Sequence, residues 1–268
     1  MSELDGLVVL VTGGGSGMGA AFSRRLAADG AHVVVNDLDE AAAGSVATDI
    51  GGEVAVFDVA DSGAFDAAVD RVVAHHGRID VLINNAGIAP PRNEAASQLA
   101  IANQMAKMEG RWADVRPTDT TVDLTDAEWD RMIRVHLYGC FYGTRAALRH
   151  MTPARSGSIV NIASILGLRP AAGAPHYSAA KAGIIALTKS TAQEVAPFGV
   201  RVNAVCPGWV DTPLLAPFDE ISRMGIIMQT PIGRMARPDE LAAVIRFLAG
   251  PESTYCVGDV FPVSGGWV

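Results

Sequence analysis

Tyr177 and Lys181 stand four residues apart in a stretch, 175–183, built otherwise from proline, histidine, serine, alanine and glycine. On a helix, positions i and i+4 lie one above the other, so the ammonium can sit beneath the phenol ring. A free tyrosine titrates near pH 10, which makes it a poor base at neutrality. A neighbouring positive charge favours phenolate and lowers that value. A phenol tuned in this way can take a proton from a reacting hydroxyl or return one. The competing reading is an interface tyrosine beside a lysine that runs its methylenes along apolar surface. The choice between them depends on what the rest of the chain brings to this helix.

One such partner is a glycine cluster. An apolar run at 7–12 leads straight into Thr12-Gly13-Gly14-Gly15-Ser16-Gly17-Met18-Gly19, and a helical pattern follows. Glycines permit positive φ and let backbone N–H groups approach a pyrophosphate, while the helix N-terminus favours its charge. A plain tight turn also needs glycine, but this position between a first strand and a first helix points to dinucleotide binding. Asp37 ends the second apolar run, eighteen residues after Gly19. A carboxylate there accepts hydrogen bonds from an adenosine ribose 2′-OH and repels a 2′-phosphate. Asp also suits a helix N-cap. Neither Ser16 nor Leu38 supplies a compensating cation, so NAD is expected rather than NADP.

The elements that must position these residues alternate regularly. Strands are expected at 7–12, 32–36, 53–57, 79–84, 158–163, 200–205 and 260–263. Helices are expected at 17–29, 40–49, 62–76, 126–150, 175–196 and 238–248. The strand runs are continuously apolar, as in a parallel sheet buried on both faces. The expected fold is a single α/β domain, a Rossmann-type doubly wound parallel sheet of about seven strands with helices on both faces. Residues 88–123 break the rhythm. They hold prolines, charges and one short helical pattern at 95–107, and a connection of this length is commonly a functional segment.

Composition sets limits on the alternatives. The 268 residues fit one large domain, and 49% hydrophobic content is ample for a core. A net charge of −8 argues against a nucleic-acid partner. Cys140, Cys206 and Cys256 are far apart, without metal-ligand spacing, and read as free thiols of a reducing compartment. No metal centre is expected. No run is apolar for long enough to span a bilayer, and the N-terminus lacks a basic leader. A cytoplasmic protein without membrane partners is expected.

With these residues in place the whole chain resembles the short-chain dehydrogenase/reductase family, in the branch with a Thr-Gly-x-x-x-Gly-x-Gly loop. Asn84-Asn85-Ala86-Gly87 is similar to the family's NNAG element, and the Tyr-x-x-x-Lys motif matches Tyr177 and Lys181. Ser164 lies thirteen residues before the tyrosine, as in the family. The resemblance implies an oxidoreductase of secondary alcohols and ketones, with Tyr177 as general acid/base and Lys181 holding the cofactor ribose. Ser164 would bond the substrate oxygen and stabilise developing charge. It also implies cofactor contacts from Gly13, Gly15, Ser16, Gly17, Met18 and Gly19, from Asp37 and Leu38, and from the adenine-side pair Asp58 and Val59. Asn85, Ala86 and Gly87 would follow, with Pro207, Gly208, Val210 and Thr212 at the nicotinamide end.

One position departs from the pattern. The family places a fourth catalytic residue, an asparagine, where this chain has His136 within Val135-His136-Leu137. Histidine can keep a donor or acceptor in the proton relay, and its own titration could add pH sensitivity. A simply buried, hydrogen-bonded histidine is the other reading. The string around His136 resembles (3R)-hydroxyacyl-CoA dehydrogenases, so a 3-hydroxyacyl or 3-oxoacyl thioester is the leading substrate. Hydroxysteroids and small secondary alcohols stay open, as do an NADPH-dependent ketoreductase and a non-catalytic NAD-binding sensor.

Leu214, Leu215, Phe218, Met224, Ile226, Ile227 and Met228 suit a lid over an apolar substrate, and an amphipathic helix packed on the core accounts for them nearly as well. The insert after Gly87 is roughly twenty-five residues longer than the family suggests and is expected to cover the site. Arg92, Lys107, Arg111 and Arg116 could meet an anionic substrate tail, although solvated surface is the favoured reading for each, and Trp112 is its candidate anchor to the body. The small residues Ala179, Ala180, Ala182, Gly183 and Ala186 would allow close helix packing in a homo-oligomer, with a tetramer favoured.

Overall fold

In a computed structural model, which describes residues 4–90, 93–216 and 218–267, seven strands form one sheet in the order β3-β2-β1-β4-β5-β6-β7. They are β1 (Val8–Val11), β2 (His32–Asn36), β3 (Glu53–Ala55), β4 (Val81–Asn84), β5 (Gly157–Ile162), β6 (Val200–Pro207) and β7 (Val260–Val263). Every pairing is parallel. The helices among the described residues are α1 (Gly17–Ala28), α2 (Glu40–Ile50), α3 (Ser62–His76), α4 (Glu94–Met108), α5 (Asp126–Ile133), α6 (Gly139–Ala154), α7 (Ile165–Leu168), α8 (Pro175–Val195), α9 (Glu220–Gln229) and α10 (Pro238–Ala249). None is long and apolar enough to cross a membrane.

The continuous apolar strands divide their side chains between two cores, because successive residues point to opposite faces. Val9 and Val11 join Val33 and Val35 against Phe22 and Leu26 of α1 and Leu241 and Ile245 of α10. Val8 and Leu10 join Val34 against Phe65 and Val69 of α3 and Met151 of α6. Both faces are therefore dry, and the sheet is the middle of three layers. β1 pairs with β2 on one side and β4 on the other, so the strand order reverses beside it. In such sheets ligands bind outside the carboxyl ends of the strands at that reversal.

Two differences from the sequence reading bear on the site. The strand expected at 53–57 stops at Ala55, since an edge strand is held from one side only; Asn36 takes over by donating from Nδ2 to the carbonyls of Ala55 and Phe57. The helix expected over 126–150 is broken by a π-helical turn, Arg134–Tyr138, between α5 and α6. Such a turn carries one extra residue and rotates the helix face, and His136 lies at its centre.

Candidate active site

The glycine loop is welded to the end of β4. Thr12 Oγ1 accepts hydrogen bonds from the backbone N–H groups of Asn85 and Ala86, both at 3.0 Å. Asn85 in turn donates from Nδ2 to the carbonyls of Thr12 (3.0 Å) and Gly13 (3.1 Å). This contact explains why a Thr-Gly turn and an NNAG element, more than seventy residues apart, act as one unit. Gly13 takes φ +61, and a Cβ on Gly19 would press into the Gly13 carbonyl and the Asn85 amide. No side chain caps α1, and its first turn carries no acidic residue. The N–H groups there are left for an anion, which fits a cofactor pyrophosphate.

Asp37 sits beside this loop, at the end of β2. Its Oδ2 accepts from the Gly15 N–H at 3.0 Å, and its Oδ1 from the Asp39 N–H at 3.2 Å. The N-cap of α2 is Asp39, whose side chain accepts from Ala42 N–H. The capping reading of Asp37 therefore falls away, because the neighbouring aspartate does that work. The segment carrying Thr212 comes over the loop from the other side, within 3.4 Å of where a Cβ on Gly17 would stand.

Deeper in, the Ser164 side chain lies beside the Tyr177 hydroxyl and favours its phenolate. Ser164 also caps α7 by accepting from Leu166 N–H at 3.1 Å, which pins its rotamer. Lys181 is buried, donates to the Ile162 carbonyl at 2.7 Å, and stands 5.6 Å from the centre of the Tyr177 ring. Burial lowers its ammonium to about 8, with the nearby Cys140 and Cys206 thiols opposing. The same burial pushes those thiols up, Cys140 to about 12 and Cys206 to about 11, so both remain protonated and inert.

The lysine by itself does not lower the phenol. Burial raises the Tyr177 pKa, and the Ser164 side chain offsets this only in part. The geometry of the chain alone therefore holds Tyr177 as a protonated donor through neutral pH.

His136 stacks edge-on against Tyr177, with ring centres 5.3 Å apart. Its Nε2 lies 3.1 Å from the backbone N and 3.0 Å from the carbonyl of Ile88, while Nδ1 is buried without a partner. Burial, followed by the Lys181 charge, holds its pKa well below the usual histidine value. It stays neutral near pH 7, so its own titration adds no pH sensitivity there. Ile88 is the first residue of the insert, and His136 thus ties the root of the insert to the tyrosine.

These groups open onto one cleft of about 1180 Å³, larger than the ~300–1,000 Å³ typical of small-molecule sites. Gly13, Ser16, Gly17, Met18, Gly19, Asp37, Leu38, Asp58 and Val59 line it, together with Asn85, Ala86, Gly87, Pro207, Gly208, Val210 and Thr212. Ser164, Tyr177, Lys181 and His136 line its deep end, and Gly15 stands behind the loop against Asp37. From the insert, Asn93, Ala96, Ser97 and Ala100 of α4 and its cap face the same space.

Several expectations about the rim are corrected. Lys107, Arg111 and Arg116 do not line the cleft: Arg111 pairs with Glu109 and Asp114, and Arg116 donates to the Ala113 carbonyl. Arg92 lies outside the described residues. Trp112 is 67% exposed and anchors nothing to the body; the insert is instead closed internally, Asn103 holding both the N–H and the carbonyl of Arg116. In the segment after Thr212, Leu214, Leu215 and Phe218 line the cleft, whereas Met224 and Met228 face solvent and Ile226 packs inward. Besides Lys181, the lining cations among the described residues are Arg131 and Arg134, which α5 and the π turn deliver and which periodicity gave no reason to choose.

Other residues escaped sequence reasoning altogether. Asn84 Nδ2 donates to Asn161 Oδ1 (2.9 Å), and Asn161 Nδ2 to Thr188 Oγ1 (2.9 Å), making a buried polar bridge from β4 through β5 to α8. It sets α8, and with it Tyr177 and Lys181, against the sheet. No local signal marks Asn161 or Thr188.

The chain belongs to the short-chain dehydrogenase/reductase family. Residues 7–109 match the family described as short chain dehydrogenase, and residues 112–268 that described as enoyl-(acyl carrier protein) reductase. It is 41% identical, over 97% of its length and 96% of the relative's, to a cis-4-hydroxycyclohexanecarboxylate dehydrogenase of Sinomonas cyclohexanicum. It is 35% identical, over 99% of both chains, to the 3-oxoacyl-(acyl-carrier-protein) reductase FabG of Thermotoga maritima. A hexahydroindene-carboxyl-CoA reductase of Mycobacterium tuberculosis is 39% identical over 97% of this chain and 93% of its own. A solved Brucella melitensis structure, described as a ribose-5-phosphate isomerase, superposes with TM-score 0.85 at 34% identity, covering 99% of this chain and 93% of the other. The protein is an oxidoreductase that interconverts a secondary alcohol and a ketone with a nicotinamide cofactor.

Proposed function

We propose that the protein is an NAD(H)-dependent dehydrogenase of 3-hydroxyacyl or 3-oxoacyl thioesters. The observation that carries this reading is the convergence of Ser164 and Tyr177 over buried Lys181, at the deep end of a long cleft whose other end holds Asp37. The nicotinamide, when bound, supplies or accepts the hydride. Ser164 bonds the substrate oxygen and fixes the reacting carbon. Tyr177 gives the alkoxide its proton in reduction and takes it in oxidation, and Lys181 carries the positive charge that stabilises phenolate. His136 keeps the ring of Tyr177 in place from the edge and joins it to the insert at Ile88.

Asp37 supports NAD as the cofactor, through its carboxylate at the loop where an adenosine ribose would lie. Arg131 and Arg134 support an anionic, phosphate-bearing carrier end on the thioester substrate, since they bring positive charge to the cleft wall. A ring-borne ketone with a carboxyl group is the second reading, favoured by the hydroxycyclohexanecarboxylate in the name of one relative; the indene-carboxyl-CoA in the name of another is itself a thioester. Exposed Tyr138 and Phe141, at the start of α6, support a homo-oligomer built on that face. The small residues of α8 contribute less to it: Ala180 is fully buried within the subunit, and a Cβ on Gly183 would meet Leu137 at 3.0 Å.

The test is oxidation of NADH, followed by its absorbance, with acetoacetyl-CoA, longer 3-oxoacyl-CoAs, 4-oxocyclohexanecarboxylate and an uncharged cyclic ketone. Turnover confined to the acyl-CoAs is expected. Turnover confined to the ring carboxylate would replace the first reading by the second, and no turnover with any ketone would overturn both.

The same assay has an expected pH profile. Lys181 is charged below about 8 and neutral above it, so its help to proton delivery is present through neutrality and lost as pH rises through that value. Reduction rates should be level near pH 7 and fall on the alkaline side, with the inflection removed in Lys181→Met. A rate that holds unchanged far above pH 8 would disprove this role.

A further inference from the structure

At the amino ends of β2 and β3, away from the cleft at their carboxyl ends, three imidazoles converge on one carboxylate. His32 opens β2, Glu53 opens β3, and His75 and His76 end α3. Their proximity follows from register. Val34 pairs with Glu53, and His32 lies two residues before Val34, so both side chains leave the sheet on the α3 face. The last turn of α3 lies over them. Nε2 of His32 is 3.0 Å from Glu53 Oε1, Nε2 of His76 is 3.1 Å away, and Nε2 of His75 is 3.6 Å away. The donor atoms of His32, Glu53 and His76 all lie within 4.8 Å of one another, the one such group of three among the described residues.

We propose that His32, Glu53 and His76 form a binding site for a divalent transition metal ion, with zinc its natural occupant. Zinc bonds nitrogen and oxygen ligands at about 2.0–2.2 Å, which places two ligands of a tetrahedron ~3.3 Å apart. The separations from Glu53 Oε1 already match that edge. Imidazole and carboxylate donors in this combination suit zinc, nickel and copper rather than magnesium or calcium.

A second observation points the same way. His76 Nε2 is shielded from solvent and has no hydrogen-bond partner, although Glu53 Oε1 is only 3.1 Å distant. The close approach lacks hydrogen-bond alignment, so a buried polar atom is left without the directional partner it needs. A cation between the two would supply it. The rings of His32 and His76 stand 4.4 Å apart and tilted at 47°, close enough to present both nitrogens to one ion. His75, more exposed, is within reach of the fourth position, and water can fill it otherwise.

The site is remote from the chemistry. His32 begins the strand that Asp37 follows, so the two lie roughly 17 Å apart at about 3.3 Å per residue. An ion here would staple the three-residue edge strand β3 to β2 and α3 without touching the reacting groups. Zinc is therefore expected to stabilise the fold rather than to take part in catalysis.

The experiment uses tag-free, chelator-washed protein titrated with Co²⁺ and Zn²⁺, read by visible absorption and by thermal unfolding. One equivalent of Co²⁺ should give the intense visible bands of a tetrahedral N/O site, and Zn²⁺ should displace them. Zinc should raise Tm by several degrees, reversibly on chelation, because a ligand that binds only the folded state stabilises it. Glu53→Gln and His76→Gln should each weaken binding at least about tenfold, while NADH-dependent turnover persists. The Co²⁺ spectrum of the unaltered protein keeps the proposal testable even if a variant folds poorly. A featureless Co²⁺ titration with an unchanged Tm would overturn it, as would a metal response that survives in the Glu53→Gln variant.

Discussion

Replacing Tyr177 by phenylalanine is expected to lower kcat about 10²–10⁴-fold, the usual contribution of a positioned acid/base, or roughly 3–5 kcal/mol of barrier. The ring stays, so its edge contact with His136 and its place above Lys181 are kept. What leaves is the hydroxyl beside Ser164. The structural cost of removing one such polar contact is only about 1 kcal/mol, so the variant should fold and still bind NADH. Stopped-flow turnover together with NADH fluorescence titration separates the two effects. A phenylalanine variant with full turnover would show that another group moves the proton, and the assignment of the deep end of the cleft would fail with it.

The second large effect concerns cofactor choice. Asp37→Ser is expected to shift the ratio of NADH to NADPH affinity by about two to three orders of magnitude in favour of NADPH. A hydrogen bond to a charged group contributes about 1.5–3 kcal/mol, and each 1.4 kcal/mol is tenfold. Removing the carboxylate loses that bond to the ribose 2′-OH and also removes the repulsion of a 2′-phosphate. Serine can still accept locally, but the Gly15 N–H loses the charged acceptor that now holds the loop. Equal affinity of the unaltered protein for the two dinucleotides would contradict the role of Asp37. So would a serine variant whose ratio did not move.

Local chemistry in the chain made much of this visible. The glycine loop was legible because positive φ at Gly13 and the close packing at Gly19 permit no other residue type. The parallel sheet was legible because strands dry on both faces must be continuously apolar, and Val8 to Val11 divide two and two between the cores. Tyr177 and Lys181 were legible because their spacing is a property of one helix. The π turn at His136 was not, since a single extra residue in a helix leaves no compositional trace.

The raised pKa of Tyr177 was not legible either. Spacing reports that a lysine is near but not how much water the fold removes from both groups, and burial proved the larger influence. The insert shows the same limit. Its cations looked available in sequence, yet Arg111 pairs with Glu109 and Asp114 inside the insert, and the cleft receives Arg131 and Arg134 instead.

The sequence by itself determined the doubly wound sheet, the phosphate loop, Asp37 and the pairing of Tyr177 with Lys181. Each depends on periodicity, on a backbone requirement or on neighbours within a few residues. Tertiary structure alone decided the polar bridge from Asn84 through Asn161 to Thr188 and the meeting of His32, Glu53 and His76. Those contacts join elements distant in the chain, and only the register of the strands and the seating of a helix on the sheet bring their atoms within bonding distance.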